Sequence, residues 1–307
     1  MVEYTDLNTN QLLDKRRFYM RYRVGDHQNK LTLHSHNGFE ILYFFKGEAN
    51  YIIGEGIYQL KPGDMLIFNG KTLHRAKPTD EGHYVRSFIN FIPSLFDNYL
   101  PEDILKKIIG MFNSPCGQLI HWEGKEREDI EKFINEMVRE YEMEAVGFLP
   151  LTQACLLQLL IKIYRKSNET IHSGREIKYS QKERHVRNIL NYINNHFREN
   201  LTLDQIADGL HVNKHYICHC FKEITGFSIN KYLANRRIEE AKNLLVTSND
   251  SIGMISDGLG FNSAVHFSRL FKQYVNISPQ MYRKKFNTVG HLMDDFSGAT
   301  GKNFEYI

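Results

Sequence analysis

Cysteine is scarce in this sequence: Cys116, Cys155, Cys218 and Cys220 are the only four in 307 residues. Thiols so few and so scattered do not make the disulfide framework of a small secreted domain. Long apolar runs are missing too. The most apolar stretch, LPLTQACLLQLLIKIY, is broken by Gln153, Gln158 and Lys162. Nothing reaches the ~18 apolar residues that a membrane span needs. The opening segment MVEYTDLNTNQ carries no apolar signal core, so secretion is not expected. The expectation is a reducing, cytoplasmic setting with no membrane partner. Neither sign of charge prevails strongly, with 39 Lys+Arg against 36 Asp+Glu. Hydrophobic residues make up 42% and charged residues 24%. That mix is globular and excludes collagen, mucin-like stalks and wholesale disorder. At ~100–200 residues per domain, the length allows two domains or three short ones.

The small net charge of +3 hides an asymmetry. Residues 181–290 hold 15 Lys+Arg against 9 Asp+Glu, and the remainder holds 24 against 27. A basic C-terminal third on a faintly acidic body points to a polyanionic partner for that third alone.

Up to about Pro93 the chain reads as strands. FYMRYRV, KLTLHSH, FEILYFF, NYIIG, IYQL, DMLIF, TLHRA and YVRSFINFI are short and rich in aromatic and β-branched residues, as strands are. Gly, Asn and Pro separate them at Asn37-Gly38, Lys46-Gly47, Gly54-Glu55-Gly56, Pro62-Gly63 and Asn69-Gly70. About eight such strands predict an antiparallel barrel or sandwich.

From Pro101 the period becomes helical. Residues 127–142 and 149–166 predict two amphipathic helices. The second carries two apolar stripes, Leu156/Leu160/Ile163 and Leu157/Ile161/Tyr164. One stripe can pack on the barrel, and the other is read as the surface joining two copies of the chain. The polar segment SNETIHSGREIKYSQ (167–181) reads as a linker.

The basic third repeats itself. LTLDQIADGLHVN, ending at Asn213, matches DSIGMISDGLGFN, ending at Asn262. The correspondence continues from Phe221 to Phe271, Lys222 to Lys272, Ser228 to Ser278 and Tyr232 to Tyr282. Each copy reads as helix, tight turn, helix, with Asn213 at an N-cap position. In the first copy Ile217, Cys220, Phe221 and Ile224 share one helical face, while His215, Cys218, His219 and Lys222 share the opposite one. In the second copy Phe267, Leu270, Phe271 and Tyr274 point in. Val265, Ser268, Arg269 and Lys272 point out, flanked by Ser263 and His266. A short helix with an apolar anchor and an outer face of hydrogen-bonding side chains fits a DNA major groove. Arg269 suits a guanine edge, His215 and His219 suit base acceptors or phosphates, and Lys222 and Lys272 suit the backbone. Two copies joined by NKYLANRRIEEAKNLL can enter successive major grooves, ~34 Å apart.

Three stretches carry a family resemblance. RIEEAKNLL (Arg237–Leu245), SIGMISDGLGFNS (Ser251–Ser263) and FSRLFKQYVNISP (Phe267–Pro279) closely resemble the AraC/XylS family of bacterial transcription regulators. The resemblance covers about Arg184 to Phe286. It implies a double helix-turn-helix domain whose second helices read bases of double-stranded promoter DNA. The DNA-contact candidates are Lys214, His215, Cys218, His219, Lys222, Ser263, Val265, His266, Arg269 and Lys272. His215, Cys218 and His219 depart from the longer donors common in the family.

The N-terminal region holds His34-x-His36, then Glu40 after three intervening residues and Gly47 after six more, then Pro62-Gly63-Asp64 and His74. This is similar to the cupin signature in the form found in sensor domains of AraC-type regulators. His34 and His36 share strand parity. With Glu40 and His74 they are candidates for a divalent-metal set. Three readings stay open: a metal-dependent cupin enzyme with a helical appendage, a metal-bound sensor, or the polar lining of an effector pocket. Effector-pocket candidates are His34, His36, Glu40, Tyr43 and His74, with Tyr51 and Tyr58 on nearby strands. Cys218 and Cys220 point about 200° apart on a helix and make no metal motif. No Gly-rich phosphate loop and no nucleophile–base arrangement is found, so neither an enzyme activity nor a cofactor is expected.

The expected fold class is α+β. Residues 1–100 make a cupin-like antiparallel β-barrel, 101–166 a helical dimerisation segment and 167–181 a linker. An all-α DNA-binding domain follows at 182–287, with helix-turn-helix units at about 203–224 and 252–275. Residues 288–307 are a tail without an assigned role. The partners expected are promoter DNA, a small-molecule effector such as a carbohydrate, and a second copy of the chain.

Overall fold

The computed structural model describes residues 6–25, 32–79, 84–97, 99–172 and 179–286. The expected tail at 288–307 and the middle of the expected linker, 173–178, lie outside these residues. The chain separates into two compact units, one of residues 1–191 with 217–227, the other of residues 192–216 with 228–307.

The first unit opens with helix α1 (Asp6–Arg16) and is built on two antiparallel sheets. Its strands are β1 (Phe18–Gly25), β2 (Phe39–Lys46), β3 (Ala49–Ile53), β4 (Gly56–Leu60), β5 (Asp64–Asn69), β6 (His74–Pro78), β7 (Val85–Phe91) and β8 (Gln118–His121). The larger sheet has the order β1-β7-β2-β5-β8, and the smaller one β4-β3-β6. A cupin-like antiparallel barrel or sandwich was expected, and the described strands form two antiparallel sheets without a closed barrel among them. β6 pairs with β3, and its further pairing among the described residues is one isolated bridge between His34 and His74. Of KLTLHSH, the described residues 32–36 contribute that bridge and no strand. The segment 101–166 is not all helical either, because β8 pairs with β5 and completes the larger sheet.

β2 explains why the unit has two cores. It lies in the middle of its sheet and every residue from Phe39 to Phe45 is buried. Successive side chains of a strand point to opposite faces. Leu42 and Phe44 meet Tyr51, Ile53, Tyr58, Leu60 and Ala76 between the sheets. Ile41, Tyr43 and Phe45 turn outward against two helices, α3 (Gly124–Met143) and α4 (Phe148–His172), which follow α2 (Glu102–Gly110). On α3, Ile130, Ile134, Met137 and Val138 are buried, and on α4, Leu156, Leu159, Leu160 and Ile163. Both sets have the i, i+3/i+4, i+7 spacing of one helical face.

Two expectations about α4 change. The helix continues to His172, so residues 167–172 are helical and not linker. One of the two stripes was expected to join a second copy, but Leu157, Ile161 and Tyr164 are partly buried against the same core that buries Leu156, Leu160 and Ile163. A sheet face is wide enough to cover more than 100° of a helix, and here it reaches both stripes.

The C-terminal helices are α5 (Gln181–His196), α6 (Leu203–Gly209), α7 (Lys214–Thr225), α8 (Ile229–Thr247), α9 (Ile252–Gly258) and α10 (Ala264–Val275), and residues 279–286 are helical as well. The internal repeat is visible in the elements. α6 and α9 have 7 residues each, α7 and α10 have 12 each, and Gly209 and Gly258 stand at matching ends. Ser228 and Ser278 match as well, each accepting a capping hydrogen bond from the main chain three residues on, Lys231 N at 3.3 Å and Met281 N at 3.2 Å.

Candidate functional site

α7 and α10 present the two faces that their periodicity implies. On α7, Ile217, Cys220 and Phe221 are fully buried. His215, His219 and Lys222 are exposed, and Cys218 is half-buried. On α10, Phe267, Phe271 and Val275 are buried, while Val265, His266, Arg269 and Lys272 are exposed.

Side-chain caps fix where both helices begin. Asn213 Oδ1 accepts from His215 N at 2.8 Å, and Ser263 Oγ accepts from His266 N at 3.2 Å. The shorter helices are capped too. Thr202 and Gln205 form a reciprocal capping box on α6, and Ser251 caps α9. The T-x-x-Q spacing of Thr202 and Gln205 before an apolar run is the sequence signature of that box.

Not all of the basic excess is open to a partner. Lys214 pairs with Asp204 at 2.8 Å, Lys182 with Glu223 at 2.8 Å, and Arg198 and Arg236 with Glu240 at 2.7 and 3.2 Å. Arg237 donates to the carbonyls of Phe197 and Glu199, and Arg283 to those of Leu245 and Asp250. Among the described residues, Lys222, Arg269 and Lys272 make no ion pair, and all three lie on the outer faces of α7 and α10. Lys214 and Ser263 are already engaged, Lys214 with a carboxylate and Ser263 as a cap.

The second candidate site lies between the sheets of the first unit. Glu40 is the inward residue beside Leu42 on β2. His36 Nε2 is 2.8 Å and His74 Nε2 is 3.8 Å from Glu40 Oε2, and all three residues are buried. Gly70 makes the arrangement fit: a Cβ there would come within 2.4 Å of the His36 ring. His74 is enclosed completely. Burial, with His34 and His36 beside it, holds its imidazole well below the ordinary histidine range. Burial likewise pushes the Tyr51 phenol well up, Glu40 adding to the rise and Arg86 opposing it. Tyr51 and Tyr58 both belong to the inner core.

Two of the expected pocket residues fall elsewhere. Tyr43 is on the opposite face of β2 from Glu40, and its hydroxyl donates to Glu131 Oε1 at 2.9 Å. It packs under α3 and does not line the space between the sheets. His34 meets the edge of the His74 ring, with centroids 4.2 Å apart, and stays outside the close group of His36, Glu40 and His74. A third feature was not anticipated. An open cleft of about 420 Å³ outside the sheets is lined by Lys107, Met111, Ser114, Gln118, Tyr164 and Ser167.

Residues 19–160 match the AraC-like ligand binding domain, and residues 206–285 match a helix-turn-helix domain. The chain belongs to the AraC family. It is 27% identical over 251 residues to the HTH-type transcriptional regulator YdiP of Escherichia coli (strain K12), which covers 81% of this chain and 80% of that protein. It is 32% identical over 136 residues to the HTH-type transcriptional regulator YisR of Bacillus subtilis (strain 168), 44% of this chain and 45% of that one. An HTH-type transcriptional regulator of Staphylococcus aureus (strain MRSA252) is 26% identical over 249 residues, 80% of this chain and 31% of the relative. The chain thus spans about a third of the length of the S. aureus relative. Among solved structures, the C-terminal domain of AraT, a response regulator from Geobacillus stearothermophilus, is 32% identical, covers 34% of this chain and 88% of its own, and has a TM-score of 0.33.

Both candidate sites of this AraC-family chain fall inside the matched segments. The helix-turn-helix match holds every exposed side chain of α7 and α10 named above. The ligand-binding match holds His34, His36, Glu40, Tyr43 and His74, and most of the outer cleft.

Proposed function

We propose that the chain is a sequence-specific DNA-binding transcriptional regulator, controlled by a small-molecule effector held between its N-terminal sheets. The observation that carries the reading is the duplicated helix-turn-helix, each copy anchored by buried aromatic or aliphatic residues and presenting exposed hydrogen-bonding side chains on its second helix. His215, His219 and Lys222 on α7, and Val265, His266, Arg269 and Lys272 on α10, make the DNA contacts. The two helices enter successive major grooves. The effector meets His36, Glu40, Tyr51 and His74, polar groups set among apolar walls. Hydroxyl-rich small molecules such as carbohydrates suit that mixture of acceptors and aromatic rings. An effector can switch the protein only by binding the DNA-competent arrangement with a different affinity from the other.

The protein works in the cytoplasm as a homodimer, and no catalysis is assigned to it. The dimer reading rests on exposed Met143, Val146, Leu149 and Leu151 at the turn between α3 and α4, not on either stripe of α4.

Selection from random duplexes with the full chain, followed by hydroxyl-radical footprinting, tests the reading. Expected is an enriched sequence protected in two major grooves about one helical turn (~34 Å) apart on one face. A selected pool bound no better than random DNA at physiological salt would overturn it.

A further inference from the structure

The cleft outside the sheets collects hydrogen-bonding capacity that the fold leaves unspent. It lies within the first unit, where the last turn of α2, the chain leading into β8 and the C-terminal third of α4 meet, and has a volume of about 420 Å³. β8 is an edge strand of the larger sheet, which leaves room beside it. Two groups of the wall are fixed from behind. Gln118 Nε2 donates to Ser167 Oγ at 2.6 Å, and Cys116 N donates to Ser114 Oγ at 3.4 Å. Each serine hydroxyl thus accepts one bond and still has its proton to give. Neither proton goes to another described residue. For Ser167, only 2% exposed, such a proton needs an acceptor, and the cleft is the side from which one can come. Gln118, held through its amide nitrogen, keeps Oε1 to accept. The Tyr164 hydroxyl makes no hydrogen bond among the described residues, while its ring and Met111 pack on the larger core.

Among the lining residues Lys107 alone is charged. Its ammonium is 3.9 Å from Asp103 Oδ2, and both side chains are mostly exposed. That distance is beyond hydrogen-bond reach, and an exposed pair of this kind contributes little. The wall therefore offers an ammonium and three hydroxyl protons around one amide acceptor, over an apolar floor. This inventory fits an acceptor-rich anion that carries hydroxyls. One ammonium with a carboxylate beside it matches a single negative charge better than the nearly double charge of a phosphate monoester. The volume is near the lower end of the ~300–1,000 Å³ usual for ligand sites, which suits a molecule of monosaccharide size.

We propose that this cleft binds a small hydroxylated monocarboxylate, such as a sugar acid, with its carboxylate on Lys107 and its hydroxyls on Gln118 Oε1 and Ser167 Oγ. It is a second ligand site, separate from the space between the sheets, and it does not rest on the regulator reading.

Gly110 allows a test that keeps the fold. It borders the cleft with a helical φ of −54°, and a Cβ there meets nothing within 4 Å. A large side chain at this position fills the cleft without backbone strain, and any residue but proline favours the helix over glycine. The full chain is titrated with D-glucuronate by calorimetry at low ionic strength. Expected is one saturable site per chain, abolished in Gly110→Phe at an undiminished Tm. Lys107→Met should weaken binding about tenfold, the loss of one charge-assisted hydrogen bond. Lys106→Met removes a neighbouring charge of α2 that pairs with Glu102 and should change nothing. D-Glucose, which lacks the carboxylate, should bind the cleft about tenfold more weakly. Absence of saturable glucuronate binding in the unaltered protein overturns the site. Undiminished binding in folded Gly110→Phe places the ligand elsewhere and overturns it too. Equal losses in Lys106→Met and Lys107→Met reduce the contact to general charge attraction, and glucose bound as tightly as glucuronate, with the same loss in Gly110→Phe, refutes the carboxylate. Each of these results leaves the DNA-selection outcome untouched, so the two readings fail separately.

Discussion

The Tyr43 hydroxyl donates to Glu131 Oε1 at 2.9 Å, and Arg127 Nε donates to the same oxygen at 2.7 Å. A tyrosine on the outer face of β2 is thereby tied to α3. Burial, reinforced by Glu131, pushes the phenol up, so it stays a donor across the working pH range. Tyr43→Phe should destabilise the protein by about 1 kcal/mol, one net hydrogen bond, seen as a lower urea midpoint at unchanged slope. It should leave the effector response intact. An altered effector affinity would return Tyr43 to the pocket.

Arg269 and Lys272 stand on the outer face of α10 without an ion-pair partner, and they should fail differently. Arg269→Ala should cost roughly 1–3 kcal/mol at one base position and relax specificity there. Lys272→Ala should weaken binding to every sequence and lower the salt slope by about 0.9, one phosphate contact. Binding measured against a panel of single-base variants at several salt concentrations separates the two. Identical base profiles for wild type and Arg269→Ala would remove Arg269 from base reading.

The double helix-turn-helix was legible because its information is local. Caps, turn glycines and opposed faces all fall within about twenty residues of chain, and the repeat states them twice. The sheet region was legible in its strands but not in their closure. Whether β6 joins one barrel or a smaller sheet depends on pairings that no local pattern contains. QLIH, four residues in a helical segment, has too little alternation to reveal β8, which exists because β5 offers an open edge. The Tyr43 assignment was a different failure. Glu40 and Tyr43 are three residues apart on one strand, so the parity that grouped His34 with His36 already put them on opposite faces. The clustering of His74 with His36 and Glu40 followed from the motif, whereas the exclusion of His34 needed the backbone.

On α8, Glu240 pairs with Arg236 one turn before it and with Arg198, and its side chain is 18% exposed. Burial pushes its carboxyl up, but the hydrogen bonds and charges of the two arginines more than reverse this and hold it below the ordinary carboxylate range. A carboxyl whose folded value lies below its unfolded value, ~4.3, stabilises the fold fully above that pH. The contribution is lost as the pH falls through the lower, folded value. Glu240→Gln should therefore lower the urea midpoint at pH 7. It should also flatten the loss of stability that wild type shows on acidification below about pH 4.3. Equal acid sensitivity in both proteins would mean that the cluster is not what titrates.

Val265 is 81% exposed in the first turn of α10, an unusual place for a β-branched alkyl side chain unless something covers it. Arg269 lies one turn further along the same face. On the regulator reading, this pair would meet neighbouring bases, the guanidinium on guanine and the isopropyl group on the C5-methyl of thymine. Burying one methyl is worth about 0.8 kcal/mol, roughly fourfold in affinity. Replacing the thymines of a selected site one at a time by deoxyuridine removes only that methyl. Wild type should lose about fourfold at one position. Val265→Ala should bind the thymine and deoxyuridine forms of that position nearly alike, while its response to every other substitution stays unchanged. A wild-type protein indifferent to deoxyuridine at all positions would show that Val265 reads no base.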